Sequence, residues 1–252
     1  MSTRPPVRLV LVGAEGRMGS RVRALADDDR GVLVVGALTR GERGRERSTA
    51  GEPDRTAPRV SHEIAAFSLG FADVVVDFSS PEGTLRALDL ARQIGSTLLV
   101  GTTGLPPATL AALRDESARR AVLHAPNTSL GVAVIAEAVR RVASRLVDFD
   151  ASIVESHHSA KRDAPSGTAL RLARAARDGG ARLPDQQVVS IRGGDVVGEH
   201  TVRFAGPGEY VELTHRATSR DVFVVGALRA AVWLAAQQPG WWTIEDMLGI
   251  DA

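Results

Sequence analysis

The segment from Ser156 to Thr168 concentrates side chains that bind anions or transfer protons. Two adjacent histidines, His157 and His158, are followed closely by Lys161. A lysine amine can hold a carboxylate, and an imidazole can supply a proton near neutral pH. This pattern predicts a site for a small substrate that carries a carboxylate, with one of the histidines as proton donor.

A helix start in the same segment adds a second kind of anion contact. Pro165 ends any preceding element, and Ser166 is a good N-cap residue. The first backbone amides of the helix, at Gly167 and Thr168, would then attract negative charge. Together with the nearby lysine, they predict that the substrate carboxylate is bound at this helix start.

Metal binding is a weaker interpretation of this segment. Adjacent strand residues point to opposite faces, so His157 and His158 cannot both coordinate one ion. Glu155 and His157 have the spacing of two ligands, but no third ligand lies near them in the sequence, which favours an ion pair or a chance pairing. We therefore expect no metal site. Structural roles are expected for the isolated histidines, which are His62, His124, His200 and His215.

A glycine-rich turn near the amino terminus is the second segment with a chemical signature. The buried-strand pattern Val7 to Val12 leads into Gly13 to Gly19, and a helical pattern follows. Such a turn lets the backbone approach a pyrophosphate. The spacing is G-x-x-G-x-x-G, with Glu15 where the dinucleotide fingerprint has its middle glycine. Cofactor binding is the main interpretation, and a turn that only permits tight packing is the alternative. The predicted contacts are Gly13, Ala14, Glu15, Gly16, Arg17 and Met18.

The end of the second predicted strand bears on cofactor choice. An acidic residue there usually binds the ribose 2′-hydroxyl of NAD, but this chain has Thr39 and Arg40. Arg40 could pair with a 2′-phosphate in bidentate fashion, so NADPH should bind at least as well as NADH. The alternative is that Arg40 is a solvated loop residue.

The element pattern divides the chain into two kinds of structure. Strands and helices alternate through the first half, which predicts a parallel sheet of Rossmann type with helices on both faces, interrupted by a long exposed loop at residues 41–60. From Ala151 onward longer strands predict an α+β domain with a mixed sheet. The expected domains are residues 1–128 for the dinucleotide, 129–219 for substrate and oligomerisation, and 220–252 returning to the first domain.

Composition limits the classes of protein. The 252 residues are 44% hydrophobic, enough for two cores, and 31 basic residues nearly balance 30 acidic ones. That balance argues against nucleic-acid and membrane partners. Cysteine is absent, and Met1 to Pro6 lack the apolar core of a signal peptide. We expect a cytoplasmic protein.

Segments in a fixed order resemble the signature stretches of the 4-hydroxy-tetrahydrodipicolinate reductase family. They span nearly the whole chain, and the fourth of them is highly specific. The segments are Gly13–Gly19, Asp77–Ser79 with Pro81–Thr84, Gly101–Gly104, Glu155–Leu170 and Gly194–His200, continued by Thr214–Ala217 and Ser219–Arg220.

The resemblance implies a reaction and an assembly. Members of this family use NADPH or NADH to reduce the unsaturated ring formed by dehydration of 4-hydroxy-tetrahydrodipicolinate, giving tetrahydrodipicolinate in the diaminopimelate and lysine pathway. It also implies a nicotinamide-binding domain completed by the C-terminal helix, and a homotetramer assembled through the intervening domain.

The resemblance also implies residue roles. His157 and Lys161 correspond to proton donors, and a lowered pKa is expected for His157 beside the cations. The implied substrate contacts are His158, Gly167, Thr168 and Thr103. The implied cofactor contacts are Gly101, Thr102 and Thr103 over the nicotinamide, and Ala125, Pro126, Asn127 and Thr128. Two positions depart from the family: Thr128 replaces a usual aromatic residue, and Thr39 replaces a common acidic one.

Two other functions fit a two-domain dehydrogenase architecture. An amino-acid dehydrogenase, acting for example on aspartate, would have no reason for the adjacent histidines with Lys161. A redox-sensing NADP-binding protein would be expected to have lost the proton donors of the second domain. Both donors are present here, so the resemblance favours the reductase.

Overall fold

The computed structural model describes residues 5–41 and 58–250, and the central part of the predicted 41–60 loop lies outside the described residues. Two short 3-10 turns, Ile64–Ala66 and Asp185–Gln187, accompany the regular elements. In chain order these are β1 (Val7–Val12), α1 (Arg17–Asp28), β2 (Val32–Leu38), β3 (Arg59–Ser61), β4 (Val74–Asp77), α2 (Pro81–Ile94), β5 (Thr97–Val100), α3 (Pro107–Ser117), β6 (Ala121–His124), α4 (Leu130–Ala143), β7 (Asp150–His157), α5 (Gly167–Asp178), β8 (Val188–Arg192), β9 (Gly198–Gly206), β10 (Glu209–Ala217), α6 (Asp221–Leu234), β11 (Gly240–Trp242) and α7 (Ile244–Leu248).

The chain separates into two compact units. The first unit contains the described parts of residues 1–128 together with 223–249, and the second contains residues 129–222. The closing helix α6 therefore belongs mainly to the first unit, although it follows the second unit in the sequence.

A seven-stranded parallel sheet forms the centre of the first unit. Its strand order is β11-β6-β5-β4-β1-β2-β3. Strands β1, β4 and β5 are almost continuous runs of buried valine and leucine, as expected for parallel strands covered on both faces. The order runs outward from β1 in both directions, so the turn after β1 lies where the strand order reverses. Open α/β sheets bind ligands at this switch point.

Local sequence explains the helix that starts beside this switch point. Helix α2 begins with Ser80 as N-cap, whose hydroxyl accepts a hydrogen bond from the amide of Gly83, and with Pro81 in its first turn. It ends at Gly95, which adopts the left-handed conformation with φ +73°. These signals place the amino-terminal turn of α2 after β4.

A four-stranded mixed sheet forms the second unit. Its order is β10-β9-β7-β8, in which β7 pairs in parallel with β8 and antiparallel with β9. Side chains alternate along β7, and the inward face includes Ile153, Glu155 and His157. Helices α4 and α5 supply the other half of a core that contains Leu172 and Phe204.

The predicted fold class, a Rossmann-type parallel sheet with a mixed-sheet α+β domain, is confirmed. The pattern missed three short elements, β3, β11 and α7. β3 occupies Arg59–Ser61, so the last residues of the predicted 41–60 loop are a strand paired with β2. In the described part of the chain, no helix is both long enough and apolar enough to cross a membrane.

Candidate active site

The glycine-rich turn has the backbone geometry of a close approach. Gly13 adopts φ +84°, and a Cβ there would lie 2.4 Å from the carbonyl oxygen of Phe78. A Cβ on Gly19 would lie 2.2 Å from the carbonyl oxygen of Gly13, so the start of α1 packs directly on the turn. Gly16 is the N-cap of α1 and provides no side-chain cap, and the first helical turn carries no acidic residue. The turn therefore fits the pyrophosphate of a dinucleotide.

Two cavities flank this turn within the first unit. The first, of about 660 Å³, is lined by Gly13, Ala14, Glu15 and Gly16 and extends to Thr39 and Arg40. The second, of about 440 Å³, brings together three sequence-distant segments that were predicted to bind the cofactor. Its predicted lining residues are Gly16, Arg17, Met18, Gly101, Thr102, Thr103, Pro126, Asn127 and Thr128.

The predicted contact residues Ala125 and Thr128 are mainly engaged with protein backbone. Ala125 is buried, and its amide donates to the carbonyl of Val100. The hydroxyl of Thr128 donates to the carbonyl of Phe223 at 2.6 Å. Phe223 itself lines the second cavity. An aromatic residue thus lines the cavity next to Thr128, the position at which the resemblance implied one.

A buried carboxylate connects the loops around these cavities. Asp77, at the end of β4, accepts hydrogen bonds from the hydroxyls of Thr84 (2.6 Å), Thr102 (2.8 Å) and Ser79. Burial raises the pKa of Asp77 and outweighs these bonds, which act to lower it. The hydroxyl of Thr102 also accepts from the amide of Ser79 at 2.9 Å. Asp77 thereby holds together the loops after β4 and β5.

Charged residues converge at the far end of the first cavity. Arg40 is exposed there, and Glu82 and Arg86 enter from α2. Arg86 donates to the carbonyls of Thr39 (2.7 Å) and His62, so it ties the segments after β2 and β3 together. The pKa of Glu82 is lowered by its own amide, by the Ser80 hydroxyl and by the charge of Arg40. The sequence showed no carboxylate at the end of β2 and missed that Glu82 of another helix lines the same cavity.

In the second unit, the predicted substrate segment follows directly from β7. The amide of Gly193 donates to the carbonyl of His157 at 3.0 Å, which fixes the end of the strand. Ser166 caps α5, because its hydroxyl accepts from the amide of Ala169 at 3.1 Å. Gly167 is exposed at the first position of α5, and Thr168 follows half-buried. The predicted helix start is therefore present.

His157 is buried and has a carboxylate partner. Its Nδ1 lies 2.5 Å from Oε2 of Glu155, and the two residues share the inward face of β7. The pKa of His157 is lowered, chiefly by burial, with the charges of Lys161 and Arg192 adding to the effect and Glu155 opposing it. The predicted direction of this shift is confirmed, but burial is its main cause.

Glu155 is completely buried and accepts several hydrogen bonds. Arg192 donates to both of its oxygens, at 2.7 and 3.0 Å, and the amide of Ser166 donates to Oε1 at 3.2 Å. Burial acts to raise the pKa of Glu155, but the bonds from Arg192, Ser190 and His157 prevail and lower it to about 2. Glu155 is thus an ionised carboxylate at neutral pH.

The structure corrects one expectation about metal binding. A third potential ligand, His200, does lie near Glu155 and His157, with ligand atoms within 4.8 Å of one another. It was missed because His200 lies on β9, directly beside Glu155 on the neighbouring strand β7. Spacing in the sequence does not reveal such a pairing between strands. Arg192 already neutralises the carboxylate, which favours a charge network over a metal centre.

His200 belongs to the packing around this network. Its ring contacts that of His157 edge to face, with centroids 5.1 Å apart, and its Nε2 lies 3.0 Å from the hydroxyl of Ser166. Burial, followed by the charge of His157, lowers the pKa of His200 to about 4. His200 is therefore neutral at pH 7.

The other predicted polar contacts are partly engaged by neighbours. Lys161 donates to both carboxylate oxygens of Asp163 at 2.8 Å. That interaction lowers the pKa of Asp163. Nε2 of His158 lies 3.4 Å from Arg220. The ammonium of Lys161 has three N–H groups, so at least one remains for a substrate carboxylate beside Asp163.

Comparison with known proteins places the whole chain in one family. Residues 7–128 match the family described as dihydrodipicolinate reductase, N-terminus, and residues 131–248 match dihydrodipicolinate reductase, C-terminus. The chain belongs to the dihydrodipicolinate reductase family. Like other members of the family it is an oxidoreductase, with a nucleotide-binding N-terminal domain that implies a pyridine nucleotide cofactor.

Similar proteins agree over their full lengths. The 4-hydroxy-tetrahydrodipicolinate reductase of Xanthomonas axonopodis pv. citri is 46% identical over 249 residues, covering 98% of this chain and 99% of the relative. That of Stenotrophomonas maltophilia strain K279a is 44% identical, covering 96% and 98%. The family-level prediction is thus confirmed, and with it the reductase step in lysine and diaminopimelate biosynthesis.

Solved structures support the same fold. A dipicolinate-bound dihydrodipicolinate reductase from Paenisporosarcina sp. TG-14 has a TM-score of 0.77 at 18% identity, covering 96% of this chain and 99% of that chain. An amine dehydrogenase from Mycobacterium smegmatis has a TM-score of 0.57 at 14% identity, covering 95% of each chain. At these identities the likeness concerns the fold alone.

Proposed function

We propose that this reductase uses His157 and Lys161 to deliver the proton that accompanies reduction of dehydrated 4-hydroxy-tetrahydrodipicolinate. The bound nucleotide supplies the hydride. Hydride addition to the conjugated ring leaves an electron-rich enamine, which must take up one proton. Nδ1 of His157 is hydrogen-bonded to the carboxylate of Glu155, and Lys161 lies close enough for its charge to lower the pKa of His157.

The observation that supports this assignment most strongly is that the chain contains a single lysine. Lys161 is the only lysine, and the remaining 30 of the 31 basic residues are arginines. An arginine would anchor a carboxylate equally well and often better, but its guanidinium does not lose a proton in proteins. A chain that otherwise uses arginine for every cation has an amine at the position where a proton could be transferred.

The proposed substrate-binding site combines side chains with the backbone amides at the start of a helix. The first turn of α5 carries no acidic residue, and a Cβ on Gly167 would meet no atom within 4 Å, so the helix start is open. The amides of Gly167 and Thr168, with Lys161 and His158, are proposed to bind the substrate carboxylates. Thr103, exposed at the edge of the second cavity, is proposed as a further contact.

The proposed cofactor contacts follow the two cavities of the first unit. The first cavity is proposed to hold the adenosine half and the second the nicotinamide half. Arg40 is exposed and is proposed to pair with the 2′-phosphate of NADPH, which should bind at least as well as NADH. A cytoplasmic location, expected because the absence of cysteine suits a reducing compartment, belongs to the same proposal.

A homotetramer, which the family resemblance implies, is proposed to assemble through the outer face of the mixed sheet. Val154, Val189 and Ile191 point outward on the adjacent strands β7 and β8, and each is at least 41% exposed. Apolar side chains clustered on an open sheet face mark an interaction surface. Light scattering on the purified protein should give four times the chain mass of 26.6 kDa, and a Val154→Glu, Ile191→Glu double variant should give smaller species.

The proposed function is tested by a coupled assay at 340 nm. The purified protein is mixed with a synthase that forms the dehydrated substrate, and oxidation of NADPH and of NADH is followed. Synthase-dependent oxidation in the parent, lost in the His157→Gln and Lys161→Ala variants, would support both proton donors. Turnover within a few-fold of the parent in both variants would refute them.

A further inference from the structure

Glu155 bridges two parts of the proposed substrate site. One carboxylate oxygen lies 2.5 Å from Nδ1 of His157, and the other accepts from the amide of Ser166 at 3.2 Å. Ser166 is the N-cap of α5. A single carboxylate therefore contacts both the imidazole proposed to transfer a proton and the residue that starts the anion-binding helix.

The geometry also determines which ring nitrogen is available. A carboxylate can only accept, so the nitrogen beside Glu155 carries the hydrogen and the imidazole is in its Nδ1–H form when neutral. Nε2 then carries the lone pair. It faces Gly198, where an added Cβ would lie 2.9 Å from Nε2. A side chain at this position would collide with the ring, so the glycine is what allows the imidazole to lie here.

We propose that Glu155 is a positioning residue for proton transfer. It holds His157 in the Nδ1–H tautomer and, through its contact with Ser166, at a fixed position relative to the start of α5. This inference rests on the proposed function of His157. It assigns Glu155 a role that its spacing in the sequence left as an ion pair or a chance pairing.

The charged groups around His157 come from each neighbouring element. Arg192 approaches from β8, the neutral His200 from β9, and Lys161 from the loop after β7. Arg192 keeps Glu155 ionised, which the pKa of about 2 reflects. Burial and the two cations lower the pKa of His157, whereas Glu155, whose oxygen lies 2.5 Å from Nδ1, acts to raise it.

The first test needs no substrate. Two-dimensional ¹⁵N–¹H spectra distinguish the tautomers of the six histidines in the ligand-free protein, and the spectrum of His157→Gln identifies the signal. We expect the Nδ1–H form at pH 7.5 in the parent and a shift towards the Nε2–H form in Glu155→Gln. An Nε2–H form in the parent, or an unchanged tautomer in the variant, would overturn the proposal.

The second test uses turnover. Glu155→Gln should lower kcat by about 10²-fold, within the range contributed by general acid catalysis, with the Kd for NADPH unchanged. The alkaline limb of kcat/KM should move to lower pH, because the carboxylate that raises the pKa of His157 is lost. Glu155→Asp, which keeps the charge, should recover at least part of the turnover. A purely structural role would not move the pH profile.

The matched control is Glu137→Gln. Glu137 lies on α4 of the same unit and pairs with Arg140 and Arg141 rather than with a histidine. It should behave as the parent in turnover and in pH profile. A parent without synthase-dependent turnover would refute the proposed function and leave the tautomer test intact. An active parent with a parent-like Glu155→Gln would refute the role of Glu155 alone.

Discussion

Asp77 in the first unit and Glu155 in the second are both fully buried carboxylates, but they have different hydrogen-bond partners. Each lies at or near the end of a strand beside a proposed ligand-binding segment. Asp77 is surrounded by hydroxyl groups, and its pKa is raised because burial outweighs the hydrogen bonds from three hydroxyls and one backbone amide. Glu155 is bound by the Arg192 guanidinium, and its pKa is lowered to about 2.

The difference shows what each carboxylate can do. Neutral hydroxyl donors do not supply the positive charge that would keep a buried carboxylate ionised, so Asp77 is suited to connecting loops. A guanidinium does supply that charge, so Glu155 remains a fixed anion beside His157. Removing groups from the second region should therefore affect chemistry, whereas the first region should respond mainly in ligand affinity and stability.

The largest expected effect concerns Lys161. Lys161→Ala should lower kcat by about 10²- to 10⁴-fold if the amine donates a proton. Lys161→Arg keeps the charge but removes the transferable proton, so it should retain a KM close to that of the parent while kcat remains low. Steady-state kinetics at pH 7.5 measure both.

The adjacent exposed Arg162 provides the matched control, because Arg162→Ala removes a cation from the same loop. It should leave kcat unchanged. Full activity of Lys161→Arg would mean that the residue only anchors a carboxylate and that His157 delivers the proton alone.

The two carboxylates should give opposite dependences of stability on pH. The folded pKa of Glu155 is depressed, so its contribution, about 3 kcal/mol for a shift from 4.5 to about 2, is present above pH 4.5 and lost as the pH falls towards 2. The folded pKa of Asp77 is raised, so its stabilisation is present below its unfolded value and lost as the pH rises through the folded value.

Urea unfolding of Glu155→Gln and Asp77→Asn between pH 3 and 8 tests this contrast. The free energy of unfolding of Glu155→Gln should fall progressively further below that of the parent as the pH rises from 3 to 5. The free energy of unfolding of Asp77→Asn should instead rise relative to that of the parent as the pH rises. The same trend in both variants would show that the two carboxylates do not differ in the way that their partners indicate.

Local sequence signals were sufficient for much of the fold. The alternation of β-branched runs and helical segments predicted the parallel sheet, and Ser166 after Pro165 predicted the start of α5, because caps and periodicity depend on nearby residues. The three-residue strand β11 carries too little pattern to be recognised. It becomes a strand only because it pairs with β6 at the edge of the sheet.

The residues of the candidate site that the sequence did not predict were also missed because their contacts depend on tertiary structure. His200 reaches Glu155 through the pairing of β9 with β7, and Glu82 reaches the first cavity from α2. Neither contact has a fixed separation in sequence that a pattern could detect. Glu155 and His157, by contrast, were noticed together because residues two apart on a strand share a face.

A smaller effect is expected at the adenosine end of the first unit. Arg40→Ala should weaken NADPH binding by about 10-fold, the loss of a charge-assisted hydrogen bond, and leave NADH nearly unchanged. Fluorescence titration of the reduced nucleotides measures both Kd values without substrate. The exposed Arg23 on α1 provides a control, since Arg23→Ala should change neither. Equal losses for both nucleotides would mean that Arg40 does not contact the 2′-phosphate.

The smallest effect should come from Glu82, an exposed carboxylate of the first unit. Its carboxylate lines the same cavity as Arg40, and its lowered pKa means that it is ionised at neutral pH. An anion there repels a 2′-phosphate and can accept from a ribose hydroxyl, as the missing acidic residue at Thr39 would. Glu82→Gln should therefore tighten NADPH and weaken NADH, each by about two- to fivefold for an exposed charge.

The control for Glu82 is Asp89→Asn on the same helix, where the carboxylate pairs with Arg92. It should leave the ratio of the two Kd values unchanged. If Glu82→Gln weakened NADPH instead, the carboxylate would be orienting Arg40 for the phosphate rather than opposing it. Cofactor choice would then depend, like proton transfer in the second unit, on a carboxylate that positions a cationic or protonatable partner.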